Sequence, residues 1–201
     1  MGYLQERQGR NRNQTYARIT MFRSSIEISE KLEQQLNKVG TCVDMFENRD
    51  GLAVDTWMEW LKESEKILKD YGYSDTARLA GLRAEIVAEK NRPDLQRNRR
   101  KALDSKAAST VNEAQDILFS INAALRDNID KVTTLVRQIM VPAKEAGIIQ
   151  PPESQDITLY VENLLAQFKN HEQLKSSIYS AESLIGRFDL LRIIANELNM
   201  A

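Results

Sequence analysis

The spacing of apolar residues in the last quarter of the chain constrains the fold more than any other feature. From position 154 onward they recur three and four residues apart, and no Gly-Pro pair interrupts them. The stripe consists of Ile157, Val161, Leu164, Phe168, His171, Leu174, Ile178, Ala181, Ile185, Phe188, Leu191, Ala195 and Leu198. This pattern predicts one amphipathic helix of roughly 45 residues, about 65 Å long. Such a helix must bury its stripe against other helices, so the sequence predicts an all-α protein.

Weaker stripes of the same period divide the rest of the chain into further helices. The predicted helices cover about 16–47, 55–71, 74–91, 98–146 and 154–199. They form four arms of similar length, because the second and third are taken as one arm broken near Gly72. Short turns between arms favour an elongated antiparallel four-arm bundle. Coiled-coil hairpins that complete their core by dimerising are the alternative.

Several residues mark the ends of these helices. Thr56 and Glu59 have the spacing of a capping box at the start of the second arm. Gly72 can adopt the left-handed conformation that ends a helix, and Pro142 is expected to kink or end the fourth helix. Residues 1–15 are rich in Gln, Asn and Arg, so they are predicted to be a flexible basic arm that precedes a single domain over 16–201.

Composition excludes several classes of protein. The chain has 201 residues, a net charge of −1 and one cysteine, so it cannot form an internal disulfide. It lacks the apolar core of a signal peptide and any run of apolar residues long enough to span a membrane. These features predict a cytoplasmic protein that is not basic as a whole.

Residues that could support catalysis or bind a cofactor are scarce. His171 is the only histidine, and no residue pattern matches a di-iron, zinc or nucleotide-binding motif. His171 lies on the apolar stripe and is predicted to be a core histidine, although a pH switch at this position is an alternative. Cys42 is predicted to be a small buried or half-buried side chain, and a nucleophile pair of Cys42 with His171 is the less favoured alternative. We therefore expect no enzyme activity, no metal and no cofactor.

Trp57, Met58 and Trp60 form the densest aromatic cluster. The two tryptophans lie on the inward side of one helical turn, which favours a role in core packing. An interface with a partner is the alternative interpretation, because tryptophan is enriched at such sites.

Two basic segments interrupt a mostly acidic chain. Six basic residues lie between Arg92 and Lys106 against two acidic ones, and five lie in residues 1–23 against one. In a four-arm bundle the two segments would meet at the same end and form one positive pole. The residues predicted to bind an anionic partner there are Arg7, Arg10, Arg12, Arg97, Arg99, Arg100 and Lys101.

These observations predict a non-catalytic scaffold, adaptor or accessory subunit that acts through helix–helix interfaces and the basic end. Its partners would be proteins in a larger assembly, with a homo-oligomer as one option. A nucleic-acid accessory protein that grips phosphates without sequence preference is the second choice. A small regulatory protein that responds to pH or to a partner is the third.

Overall fold

The computed structural model describes residues 24–93, 99–145, 147, 149 and 156–199, and within these ranges it confirms the all-α prediction. None of the described helices combines the length with the apolar content that a membrane span requires. The described helices are α1 (Ser25–Glu47), α2 (Ala53–Tyr71), α3 (Thr76–Lys90), α4 (Arg99–Ser109), α5 (Val111–Glu145), α6 (Ile157–Asn170), α7 (Lys175–Ile185) and α8 (Arg187–Asn199).

The longest helix, α5, is shared by two hydrophobic cores. Its first half packs with α1 to α4, and its second half packs with α6 to α8. We call these two units the N-terminal bundle and the C-terminal bundle. Ile26, at the start of α1, packs against the core of the C-terminal bundle, so α1 also links the two units.

The first helix begins later than its apolar stripe predicts. Ser24 is the N-cap of α1, with an extended backbone (φ −68°, ψ 118°), and its side chain accepts a hydrogen bond from the amide of Glu27. A helix cannot continue backward through an extended residue. α1 therefore begins at Ser25, and the predicted start at position 16 falls outside the described residues. Residues 16–23 and the predicted basic arm, residues 1–15, lie outside the described ranges.

Gly72 ends α2 as predicted, but the chain then reverses instead of continuing along the same arm. The glycine has a left-handed backbone (φ 75°), and its N–H donates to carbonyls in the last turn of α2. α3 returns along α2, since Arg83 donates to both carboxylate oxygens of Glu65 at 2.6 and 3.1 Å. α2 and α3 are thus neighbouring antiparallel arms of the N-terminal bundle.

The predicted long final helix is wrong, because this region consists of α6, α7 and α8. His171 caps the C-terminus of α6 and is exposed, so it is not the core histidine that the stripe predicts. Gly186, with φ 86°, ends α7 and allows the chain to turn into α8. Phe168, Ile178 and Ile194 nevertheless reach the same core. The spacing of three and four residues between apolar side chains continues across the turns, because all three helices pack around the same core.

Three smaller predictions concern the ends of helices, and the first and third of them are wrong. The helix predicted over 98–146 is interrupted at Thr110, whose hydroxyl donates to the carbonyl of Ala107 and ends α4. Pro142 lies inside α5, which continues to Glu145. The proposed capping box is inside α2, because that helix begins at Ala53.

A basic groove as the candidate interaction surface

A groove of about 760 Å³ lies between the end of α1, the loop that follows it and the first turns of α4. We call it the basic groove, since three of its seven lining residues are cationic. Its lining consists of Phe46, Arg49, Arg100, Lys101, Asp104, Ser105 and Ala108. The groove is open to solvent along its length, so a long side chain or an extended peptide can enter it.

The loop between α1 and α2 holds the arginines in place. Arg49 adopts a left-handed backbone (φ 55°), and its carbonyl accepts a hydrogen bond from Arg100 Nη2 at 3.4 Å. A Cβ atom at position 51 would lie 3.2 Å from the same Nη2 atom, so Gly51 lets the guanidinium approach the loop closely. Arg99 donates to the carbonyl of Lys90 at the end of α3. These contacts attach α4 to the ends of α1 and α3.

One acidic side chain competes for the cations inside the groove. Asp104 Oδ2 lies 3.9 Å from Arg100 Nε, one helical turn away on α4. The arginine side chain is 67% exposed, so the pair is weak and the guanidinium can turn toward a ligand. Lys101 lies beside it on the exposed surface of α4. The arrangement can therefore bind an anionic group of a partner in exchange for the Asp104 carboxylate.

The structure brings together some of the predicted anion-binding residues. Arg99, Arg100 and Lys101 lie at the end of the N-terminal bundle where α1 finishes, whereas Arg97 is outside the described residues. Arg7, Arg10 and Arg12 are likewise outside them.

The expectation that α1 begins at the same end as the connection before α4 is wrong, whereas residues 1–23 themselves lie outside the described ranges. α1 starts at the opposite end of this bundle from the groove, about 35 Å away over its 23 residues. The reason is the reversal at Gly72, which adds an antiparallel arm and moves the start of α4 to the far end.

Arg49 is a groove residue that the sequence did not single out. It occupies a predicted turn, but its proximity to Arg100 depends on how α3 and α4 return along the bundle. A basic residue in a turn is common, so only the tertiary contact distinguishes this one.

The tryptophan cluster lies in the core of the N-terminal bundle. The rings of Trp57 and Trp60 are stacked with centroids 4.4 Å apart, and the residues are 0% and 3% exposed. Trp57 Nε1 donates to Thr110 Oγ1 at 2.9 Å, and Trp60 Nε1 donates to the carbonyl of Gln35 at 2.8 Å. Met58 is half-buried. The two rings thus present no accessible face to a partner in this structure.

The remaining candidate residues are dispersed. Cys42 is 2% exposed and packs in the core of the N-terminal bundle, where burial raises the pKa of its thiol. His171 belongs to the C-terminal bundle and is therefore not its partner. Within the described part of the chain, no three His, Cys, Asp or Glu side chains are grouped as they would be around a metal ion.

Comparison with known proteins identifies no relative: no protein-family model matches the chain, and no curated protein and no solved structure matches it.

Proposed function

We propose that the protein is a non-catalytic adaptor or accessory subunit that binds an acidic segment of a partner protein in its basic groove. The observation that carries this proposal is the convergence of Arg49, Arg100 and Lys101 from two separate parts of the chain. Arg100 contacts the loop through the carbonyl of Arg49, and all three residues are exposed. Complementary charges of this kind mainly raise the rate and specificity of association.

The composition of the groove favours a peptide over a nucleic acid. Phe46 is half-buried and offers an apolar surface next to the cations, which suits a peptide with mixed acidic and apolar side chains. Nucleic-acid binding by these cations is the competing proposal, and it predicts a steeper dependence on salt.

A binding experiment with two probes tests this proposal. The groove variant combines Arg49→Asn, Arg100→Gln and Lys101→Gln, since asparagine tolerates the left-handed backbone and glutamine preserves the helix. The control variant replaces three exposed lysines on α2, Lys62, Lys66 and Lys69, with glutamine, so both variants lose three positive charges. The probes are a fluorescent peptide of alternating glutamate and leucine and a single-stranded oligonucleotide of similar length.

The groove variant is expected to bind the peptide at least about tenfold more weakly than the control variant, because three charge contacts are lost. Equal affinities of the two variants for the peptide would contradict the proposal. Tighter binding of the oligonucleotide than of the peptide, with a log-linear salt dependence lost in the groove variant, would favour the nucleic-acid alternative.

A further inference from the structure

The start of α1 is held by contacts with α8. Ser24 Oγ donates to Asp189 Oδ1 at 2.6 Å, and the amides of Ser25 and Ile26 donate to Asp189 Oδ2 at 2.5 and 3.2 Å. The backbone of Ser24 is extended, so α1 begins directly after this residue, beside the first turn of α8.

An exposed phenylalanine lies at this place. Phe188 precedes Asp189 and is 56% exposed. It shares a face of α8 with Arg192, one turn later, which pairs with Glu30 of α1 at 3.2 Å. Ile26 is one turn before Glu30, so Phe188 lies close to the level of Ile26. The apolar stripe of the described α1 begins at this level with Ile26, which packs against the core of the C-terminal bundle.

The residues just before Ser24 have the composition to cover this ring. The sequence Ile19-Thr20-Met21-Phe22-Arg23 contains three large apolar residues within four positions. The Cα atom of Phe22 lies within about 7 Å of that of Ser24, because two peptide units cannot span more. We propose that Met21 and Phe22 dock on Phe188 and extend the contact between α1 and α8 beyond Ser24. This docking surface is separate from the basic groove, at the other end of the N-terminal bundle.

A crosslinking experiment tests the proposal on the full chain. Cys42 is the only cysteine, so Cys42→Ala provides a background in which Phe22→Cys is paired with either Phe188→Cys or Leu52→Cys. Leu52 is 63% exposed and lies near the basic groove, at the far end of the N-terminal bundle. A short bis-maleimide is added to dilute protein, and the products are separated by size.

The expected result is an intramolecular crosslink with Phe188→Cys that forms at least about tenfold faster than with Leu52→Cys, since the docked segment raises the effective concentration of the thiols. Equal rates for the two pairs would overturn the proposal. A product that consists only of crosslinked dimers would also overturn it, because the occupant of the surface would then be a second copy of the chain.

Hydrogen exchange provides a second test that needs no change at Cys42. In Phe188→Ser the amides of residues 19–23 are expected to exchange about tenfold faster than in the wild type, because the buried aromatic contact is lost. Phe119→Ser removes a phenylalanine of similar exposure (63%) from α5 and is expected to leave those amides unchanged. The same rates in both variants would overturn the proposal.

Discussion

Ser24 donates a 2.6 Å hydrogen bond to Asp189, a residue 165 positions away that is fully buried. The same carboxylate accepts the first two amides of α1, which have no partner within their own helix. A buried carboxylate is costly, but three hydrogen-bond donors and the positive end of the α1 dipole compensate the charge of Asp189. One side chain of the C-terminal bundle therefore caps the first helix of the N-terminal bundle.

We predict that Asp189→Asn lowers the free energy of unfolding by about 2 kcal/mol, because the amide has one acceptor oxygen for three donors that are buried or partly buried. Urea unfolding followed by circular dichroism measures the change. Asp127→Asn is the control, since Asp127 is 60% exposed and pairs only with Lys131 one turn along α5. An equal effect of the two substitutions would refute the role assigned to Asp189.

Thr110 is predicted to stabilise the tryptophan stack through its hydroxyl. Thr110→Val keeps the shape of the side chain but removes the acceptor of Trp57 Nε1, which is buried. We expect a loss of about 1–3 kcal/mol in the free energy of unfolding, with altered tryptophan fluorescence. Thr134→Val, at an exposed position of α5, should leave both measurements close to those of the wild type.

Asp104 is predicted to weaken anion binding in the basic groove. Asp104→Asn removes the intramolecular competitor of Arg100 and should raise the affinity for the acidic peptide about two- to fivefold. Asp116→Asn, on the exposed surface of α5, changes the net charge by the same amount outside the groove. If both variants gain the same affinity for the peptide, the effect is due to net charge and does not depend on the groove.

Cys42 is predicted to be unreactive in the folded protein. Burial raises the pKa of its thiol, so the nucleophilic thiolate is scarce at pH 7 and the reagent cannot reach it. Labelling with a disulfide reagent should be at least about a hundredfold slower than for an exposed cysteine and should accelerate in denaturant. Thr134→Cys in a Cys42→Ala background provides the exposed cysteine for comparison. If Cys42 is labelled at a similar rate, the prediction is wrong and the α1–α2 region opens readily.

The ion pair between α1 and α2 is predicted to make a small contribution that depends on pH. The side chains of Lys38 and Gln35 each donate a hydrogen bond to Glu63 Oε2 at 3.0 Å. Lys38 has the larger effect, and together they lower the pKa of the Glu63 carboxyl below its usual value of 4.5. The stabilisation is therefore present above pH 4.5 and is lost as the pH falls through the lowered value.

Glu63→Gln should reduce the free energy of unfolding at neutral pH by at most about 0.5 kcal/mol, because both side chains of the pair are about half exposed. Urea unfolding at pH 7 and at pH 3 measures the difference, which should be smaller at the lower pH. Glu59→Gln, which removes the ion pair with Lys62 inside α2, is the control. A difference that is the same at both pH values would contradict the assignment.

Local rules predicted much of the helical content. The apolar periods place α2 and α3 and the end of α5 within a few residues of their observed bounds, and Gly72 ends α2 through its left-handed backbone. The same periods failed at His171 and Gly186, where the chain turns while its apolar residues stay on the side of one core. An apolar stripe indicates which side chains are buried, but it does not indicate whether they belong to one continuous helix.

The candidate site was predictable only in part. Arg99, Arg100 and Lys101 are visible as a basic run, but the contact of Arg100 with the loop at Arg49 depends on the number of arms between them. Nothing near Ser24 in the sequence indicates that Asp189 will cap it.

The amino-acid sequence by itself determined that this chain is helical, because side-chain periodicity and the left-handed preference of glycine act within a few residues. The tertiary structure decided the reversal after Gly72, the division into two cores along α5 and the position of the basic groove. These features depend on which apolar faces meet and on hydrogen bonds between distant residues, such as the one from Ser24 to Asp189. Local helix propensity contributes the same free energy whether the chain reverses or continues after Gly72. Only the packing of whole helices therefore decides between these two arrangements.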